Sequence, residues 1–264
     1  MRMHLARSSF RVLNSVAVVS ALTFALAGMA HADRTPLVGL GTTTSSGTPS
    51  SVTPTGGLIV AVDPVTVPCL QIATFSDVLG GDSPGTNYDG LLFSGGLQFA
   101  ERFMGQTLGS SGDFDLVSGS PVSPLTLQVG SAGQNLDVFA YTTNVLAGLG
   151  HLGFPDLDAI GEGSIAIYFP YPQSRVSFQL VGGNGGSATL SFFRMNGTLI
   201  DNVVVSGLAD LGYGFATADD SPTISGILIQ NTDPSGIGVV NICHDGGITG
   251  TRSVTWGNIK ALYR

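Results

Sequence analysis

Two short stretches hold the residue types that hydrolases use. The first, GGDSPG at residues 80–85, matches both the Gly-Asp-Ser run of trypsin-like proteases and the G-x-S-x-G elbow of α/β-hydrolases. An elbow takes an oxyanion donor from the N–H of the residue after the serine. That residue is Pro84, which has none. The trypsin-like order needs a histidine and then an aspartate ahead of the serine. The upstream histidines, His4 and His31, both fall in a stretch that reads as an export signal. A Ser…His order survives through His151 or His244, but Pro84 and Gly85 make the stretch a turn between strands. Ser83 is therefore expected to be loop, not nucleophile.

The second stretch, GFPDLDAIGEG at residues 153–163, places Asp156, Asp158 and Glu162 close together after His151. Glycoside hydrolysis needs two carboxyl groups about 5–9.5 Å apart across a cleft, one with a raised pKa. Loops on a rigid scaffold also carry ligand recognition, which needs no such pair. Both readings stay open for this cluster. Tyr141, Tyr168, Tyr171 and Tyr213 add rings on which a sugar could stack.

Metal chemistry has little support. NTDPSG at residues 231–236 imitates half of an EF-hand loop, but position twelve is Ile242 where a bidentate carboxylate belongs. Asp219 and Asp220 read as turn formers, and His244 is a lone imidazole beside Cys243. No cofactor is expected, except that the early loop of Asp77 and Asp82 offers the clustered oxygens that suit a structural Ca²⁺. Cys69 and Cys243, the two cysteines, flank the domain of an exported chain and point first to a disulfide, with two free thiols as the alternative.

The elements that must position these residues are strands. Short apolar runs with period two or β-rich composition recur at 68–75, 90–93, 97–103, 114–118, 125–129, 136–141, 164–169, 175–181, 188–194, 198–205, 213–217, 223–230 and 238–242. Asn196-Gly197 suits a two-residue hairpin turn. Alternation puts Ala188, Leu190 and Phe192 on one face, and Val176, Phe178 and Leu180 likewise. Turns every 8–12 residues and the absence of a fixed repeat predict an all-β fold, an antiparallel β-sandwich of jelly-roll type.

The ends place that domain. Arg2, Arg7 and Arg11, an apolar run and Ala30-His31-Ala32 make residues 1–32 a cleavable signal peptide. Residues 33–57 are a Gly/Ser/Thr/Pro tract expected to be a flexible spacer, residues 58–243 the sandwich, and residues 244–264 a tail. In that tail Trp256, Ile259, Lys260 and Tyr263 fall at helical spacing. Removal of the signal leaves seven basic against eighteen acidic residues, a charge of −11 that repels phosphate backbones and excludes nucleic acid as a partner. No other stretch is apolar for long enough to span a membrane, so the mature chain is expected to have no transmembrane segment.

The words GEGSIAIYF, VSFQLVGGNGGSATLSFFRMNGTLID, LGYGFA and ISGILIQNTDPSGIGVVNI, with the earlier TFSDVL and YDGLLFSGG, resemble exported bacterial jelly-roll domains found in surface and PEP-CTERM-type proteins. Val240 stands where those domains commonly have an Asp, and the apolar anchor and basic end of a PEP-CTERM tail are missing. The resemblance implies a fold and a compartment but no settled activity. The expectation is a non-catalytic secreted or surface-associated module with a structural or binding role, extracellular carbohydrate being the first ligand class. Its alternative is an extracellular glycan hydrolase that uses the carboxylates between Asp156 and Glu162.

Overall fold

The computed structural model describes residues 51–141 and 143–245. Two antiparallel sheets pack face to face. The first has the order β1 (Ser51–Pro54), β17 (Leu199–Ser206), β16 (Ser187–Phe193), β19 (Ile224–Asn231), β14 (Ile165–Gln173), β6 (Leu97–Ala100), β5 (Leu92–Ser94). The second runs β2 (Ile59–Val62), β18 (Leu211–Thr217), β15 (Arg175–Val181), β20 (Gly238–His244), β12 (Asn144–Leu149), β11 (Leu136–Ala140), β4 (Thr86–Tyr88), with β13 (Ile160–Gly163) on β12 and β3 (Gln71–Ala73) on β20. From β12 onward the chain repeatedly crosses between sheets. It leaves the orders β14-β19-β16-β17 and β12-β20-β15-β18, the paired Greek keys of a jelly roll.

The core lies where the alternation places it. Leu190 and Phe192 of β16 meet Phe178 of β15 and Phe215 of β18, with Phe192 and Phe215 rings 5.3 Å apart between the sheets. Each such side chain contributes about 1.5–3 kcal/mol by leaving water. The Asn196-Gly197 hairpin forms with its turn one residue early. Gly197 N–H donates to the Arg194 carbonyl and Gly197 takes φ 79°, a three-residue loop in which the glycine supplies the bulge. A smaller cluster, with Phe103, Leu125, Phe193 and Leu228 at its centre, covers the outer face of the first sheet. Over it lie β7 (Arg102–Phe103), β10 (Leu127–Gln128) and the hairpin of β8 (Thr107–Ser111) and β9 (Phe114–Ser118).

One boundary moves. Residues 51–54, expected to close the spacer, are β1 and pair with Val203–Ser206 of β17. The sheet edge tolerates Pro54 because an edge strand can leave one side without ladder bonds. Next to it Asp201 gathers the chain: its oxygens accept from the N–H groups of Gly56 (2.6 Å), Leu58 (3.0 Å) and Ile59 (3.1 Å) and from Thr55 Oγ1 (3.1 Å). Burial works to raise this carboxyl, but those donors outweigh it and hold the group below the usual range. The signal, the spacer up to residue 50 and, of the tail expected over 244–264, everything from 246 onward lie outside the described residues.

The cysteines pair as expected. A disulfide joins Cys69 to Cys243 with Cα atoms 4.8 Å apart, next to the β3–β20 ladder. Replacing both with serine should cost about 2–5 kcal/mol of unfolding free energy in a denaturant titration; an unchanged midpoint would contradict a stapling role. Asp201→Ala should cost about 2 kcal/mol, because the buried Ile59 N–H and the part-buried Gly56 and Leu58 N–H groups lose their acceptor. Hydrogen exchange should quicken at Gly56, Leu58 and Ile59 first, and unaltered protection there would refute the anchor.

Candidate functional site

The acidic stretch is assembled at one end of the sandwich, where β12 runs into β13 through the loop 150–159. Gly148 and Gly163 cross at this point: a Cβ on Gly148 would fall 2.4 Å from the Gly163 backbone and one on Gly163 2.4 Å from Leu149 N, which explains the glycine after Glu162. Asp156 caps the short 3-10 turn Leu157–Ala159, accepting from Asp158 N–H at 3.0 Å. His151 Nδ1 meets the Asp113 carbonyl at 3.2 Å, and the His151 carbonyl accepts from Gln134 Nε2 at 2.6 Å.

Glu162 is the unusual member. It is 9% exposed, and its Oε2 is buried with no hydrogen-bond partner. Burial pushes its carboxyl up to about 7, helped by the negative charges of Asp113, Asp158 and Asp156 and opposed by His151. Nearby, Asp115 of β9 is buried and accepts from Ser164 N–H at 3.0 Å and Ser164 Oγ at 3.4 Å. Burial raises this carboxyl too, against the pull of Ser164, His151 and Arg102. Glu101, 1% exposed, pairs one oxygen with the Arg102 guanidinium while Oε1 has no partner. An open cleft of about 180 Å³ is lined by Glu101, Leu108, Gly109, Ser110, Asp115, Gln134 and His151. This end can therefore hold a proton on Glu162 near neutrality. It can also offer exposed acceptors and an imidazole to a polar ligand.

The structure divides the expected site. His151, Asp156, Asp158 and Glu162 come together within electrostatic reach. The tyrosines do not join them. Tyr141 follows the end of β11 that pairs Ala140 with Asn144, opposite the Leu136–Gly148 end where the acids lie. Tyr171 sits six residues beyond Ile165 on β14, about 20 Å along the strand from the acids. It is 59% exposed. Tyr213 is corrected outright: at 5% exposure it packs in the core and offers no ring face to a sugar.

Asp115, Asp113, Glu101 and Gln134 were not legible as site residues. Alternation finds the strand of Phe114–Ser118, but an aspartate there reads as solvent-facing. The hairpin's fold over the first sheet turns it inward.

The other candidates resolve into structure. Ser83 is exposed in a turn closed by Gly85 N–H on the Asp82 carbonyl at 2.8 Å. His244 is buried, with Nε2 at 3.1 Å from the Gly95 carbonyl. Asp77 spends its oxygens on Ser94 Oγ (2.5 Å) and Gly95 N–H (3.1 Å), while Asp82 is exposed. Among the described residues no three His, Cys, Asp or Glu side chains form a metal-binding group. The chain matches no protein-family model, and no curated protein or solved structure matches it.

A pH series tests the Glu162 environment. With the folded carboxyl near 7 and its ordinary value at 4.5, the folded state binds a proton that the unfolded state has lost. Wild type should therefore lose stability relative to Glu162→Gln as pH rises from 4.5 to about 7, and the gap should level off above that. A gap independent of pH would show that Glu162 titrates normally.

Proposed function

We propose that this protein is a non-catalytic binding module displayed at the cell exterior, and that its ligand class is carbohydrate. The observation that carries this reading is the form of the site. Its polar groups sit on a rigid sandwich rim around an open cleft of about 180 Å³, smaller than the roughly 300–1,000 Å³ of pockets that enclose a small molecule. His151 lines that cleft, and Asp156 and Asp158 are exposed on the loop that follows it, so that together they present both donors and acceptors, which suits hydroxyl-rich ligands. Residues 1–32 taken as an export signal, the disulfide and the resemblance to exported jelly-roll domains support an extracellular setting. The acidic balance disfavours a nucleic-acid partner.

A second reading, glycan hydrolysis, is favoured by Glu162, whose carboxyl near 7 is that of a general acid. A glycan array on the mature chain, run beside a reducing-end assay, separates the two. Binding without turnover, weakened roughly fivefold or more by His151→Ala or Asp158→Ala, supports the module. Turnover abolished by Glu162→Gln supports the enzyme. Neither binding nor turnover with any glycan would overturn both.

A further inference from the structure

A second opening on the sandwich is lined without any charge. Leu190 and Val203 point into the core, so Ser191, its ladder partners Asn202 of β17 and Leu228 of β19, and Gln230 two residues beyond Leu228 stand on the outer face of the first sheet. An open groove of about 210 Å³ lies between these residues and the segment 117–120. No acid or base lines it, in a chain as acidic as this one. The two openings share the outer hairpin: β8 lines the acidic cleft through residues 108–110, and β9 lines the groove through Val117 and Ser118.

The groove's donors are held in place by the fold. Gln230 Oε1 accepts from Val117 N–H at 2.6 Å, and Gln106 Oε1 accepts from Phe103 N–H at 3.0 Å. A backbone N–H can meet only the oxygen of an amide, so both side chains are fixed in orientation. Their NH₂ groups, the Asn202 amide and the Ser191 hydroxyl have no hydrogen-bond partner among the described residues. Leu199, 47% exposed, adds apolar surface. The backbone beneath is already spent: β16 and β19 are interior strands, and the Asn202 carbonyl accepts from Thr55 N–H at 2.9 Å. A peptide strand finds no ladder edge along this row, and a ligand must be read by side chains.

We propose that this groove is a second carbohydrate site, one that takes a neutral oligosaccharide. Amides already fixed in orientation donate to hydroxyl and ring oxygens at little ordering cost. Asn202 and Ser191 can both donate and accept, as a hydroxyl requires, and Leu199 meets the C–H face of a sugar ring. An anionic ligand would find no cation among the lining residues to offset its desolvation. The ligand class rests on the carbohydrate reading above, whereas the site makes no use of the acidic cleft.

The test uses the full mature chain carrying His151→Ala, which impairs the acidic cleft, and titrates it calorimetrically with cello-, xylo-, laminari-, malto- and mannohexaose. At least one should still bind. Asn202→Ala added to this chain should weaken that binding about fivefold, and Asn202→Trp, which fills the groove, should abolish it. The melting temperature of Asn202→Ala should stay within about 2 °C of its parent, because the amide it removes has no partner among the described residues. Binding that His151→Ala removes, or that Asn202→Ala leaves unchanged, would overturn the groove and leave the carbohydrate reading standing through the acidic cleft. Failure of wild type to bind any of the hexaoses would also overturn the groove, and the glycan array then decides whether the carbohydrate reading falls with it. Should Asn202→Trp not fold, Asn202→Ala decides between these outcomes.

Discussion

Every backbone N–H that a loop carries under the surface must meet an acceptor, and in this chain aspartate carboxylates meet that need. Asp201 binds the segment that leads into β2, Asp233 accepts from the N–H groups of Asn184, Gly186 and Ser235, and Asp210 accepts from Gly182 at 2.7 Å. Asp77 and Asp89 do the same for Gly95 and Gly133. Basic side chains are donors only and cannot share the task. Among the described residues, ion pairs link only Arg102 to Glu101 and Arg175 to Asp220. Charge-assisted bonds from amides to carboxylates therefore hold the long loops to the sandwich, and they are stronger than neutral ones.

Against that pattern the exceptions carry information. A buried carboxylate surrounded by amides is stabilised in its charged form, as at Asp201. One without donors is costly to bury and keeps its proton or attracts a cation. Glu162, Glu101 and Asp137 each have a buried oxygen in that state. The first two stand at the cleft end with Asp115 and His151, and the third lies under a different loop. The jelly roll supplies the rigidity that keeps such groups apart from solvent, while the outer hairpin β8–β9 lines one wall of the open cleft.

Much of the scaffold was legible because its signals are local. Arg175–Val181 and Phe114–Ser118 fall where period two puts them, and the Cys69–Cys243 bridge follows from two cysteines at the ends of an exported domain. What failed to show was set by long-range partners. β12 is buried on both faces and has no alternation to read, and β1 is a polar edge strand that only β17 makes into sheet. The same limit applies to the site. The run from His151 to Glu162 is contiguous and was found, whereas Asp115 and Glu101 reach it through folding, and Tyr213 is taken from it by burial.

The division between carboxylates that serve amides and those that do not is open to direct observation by carbon-detected NMR of the Asp and Glu side-chain carboxyls across a pH titration. Asp201 should titrate below the ordinary carboxylate range, and Glu162 should titrate near 7. If Glu162 instead titrated close to 4.5 alongside the exposed acids, its isolation from donors would be refuted, and with it the reading of this end of the sandwich as the functional one.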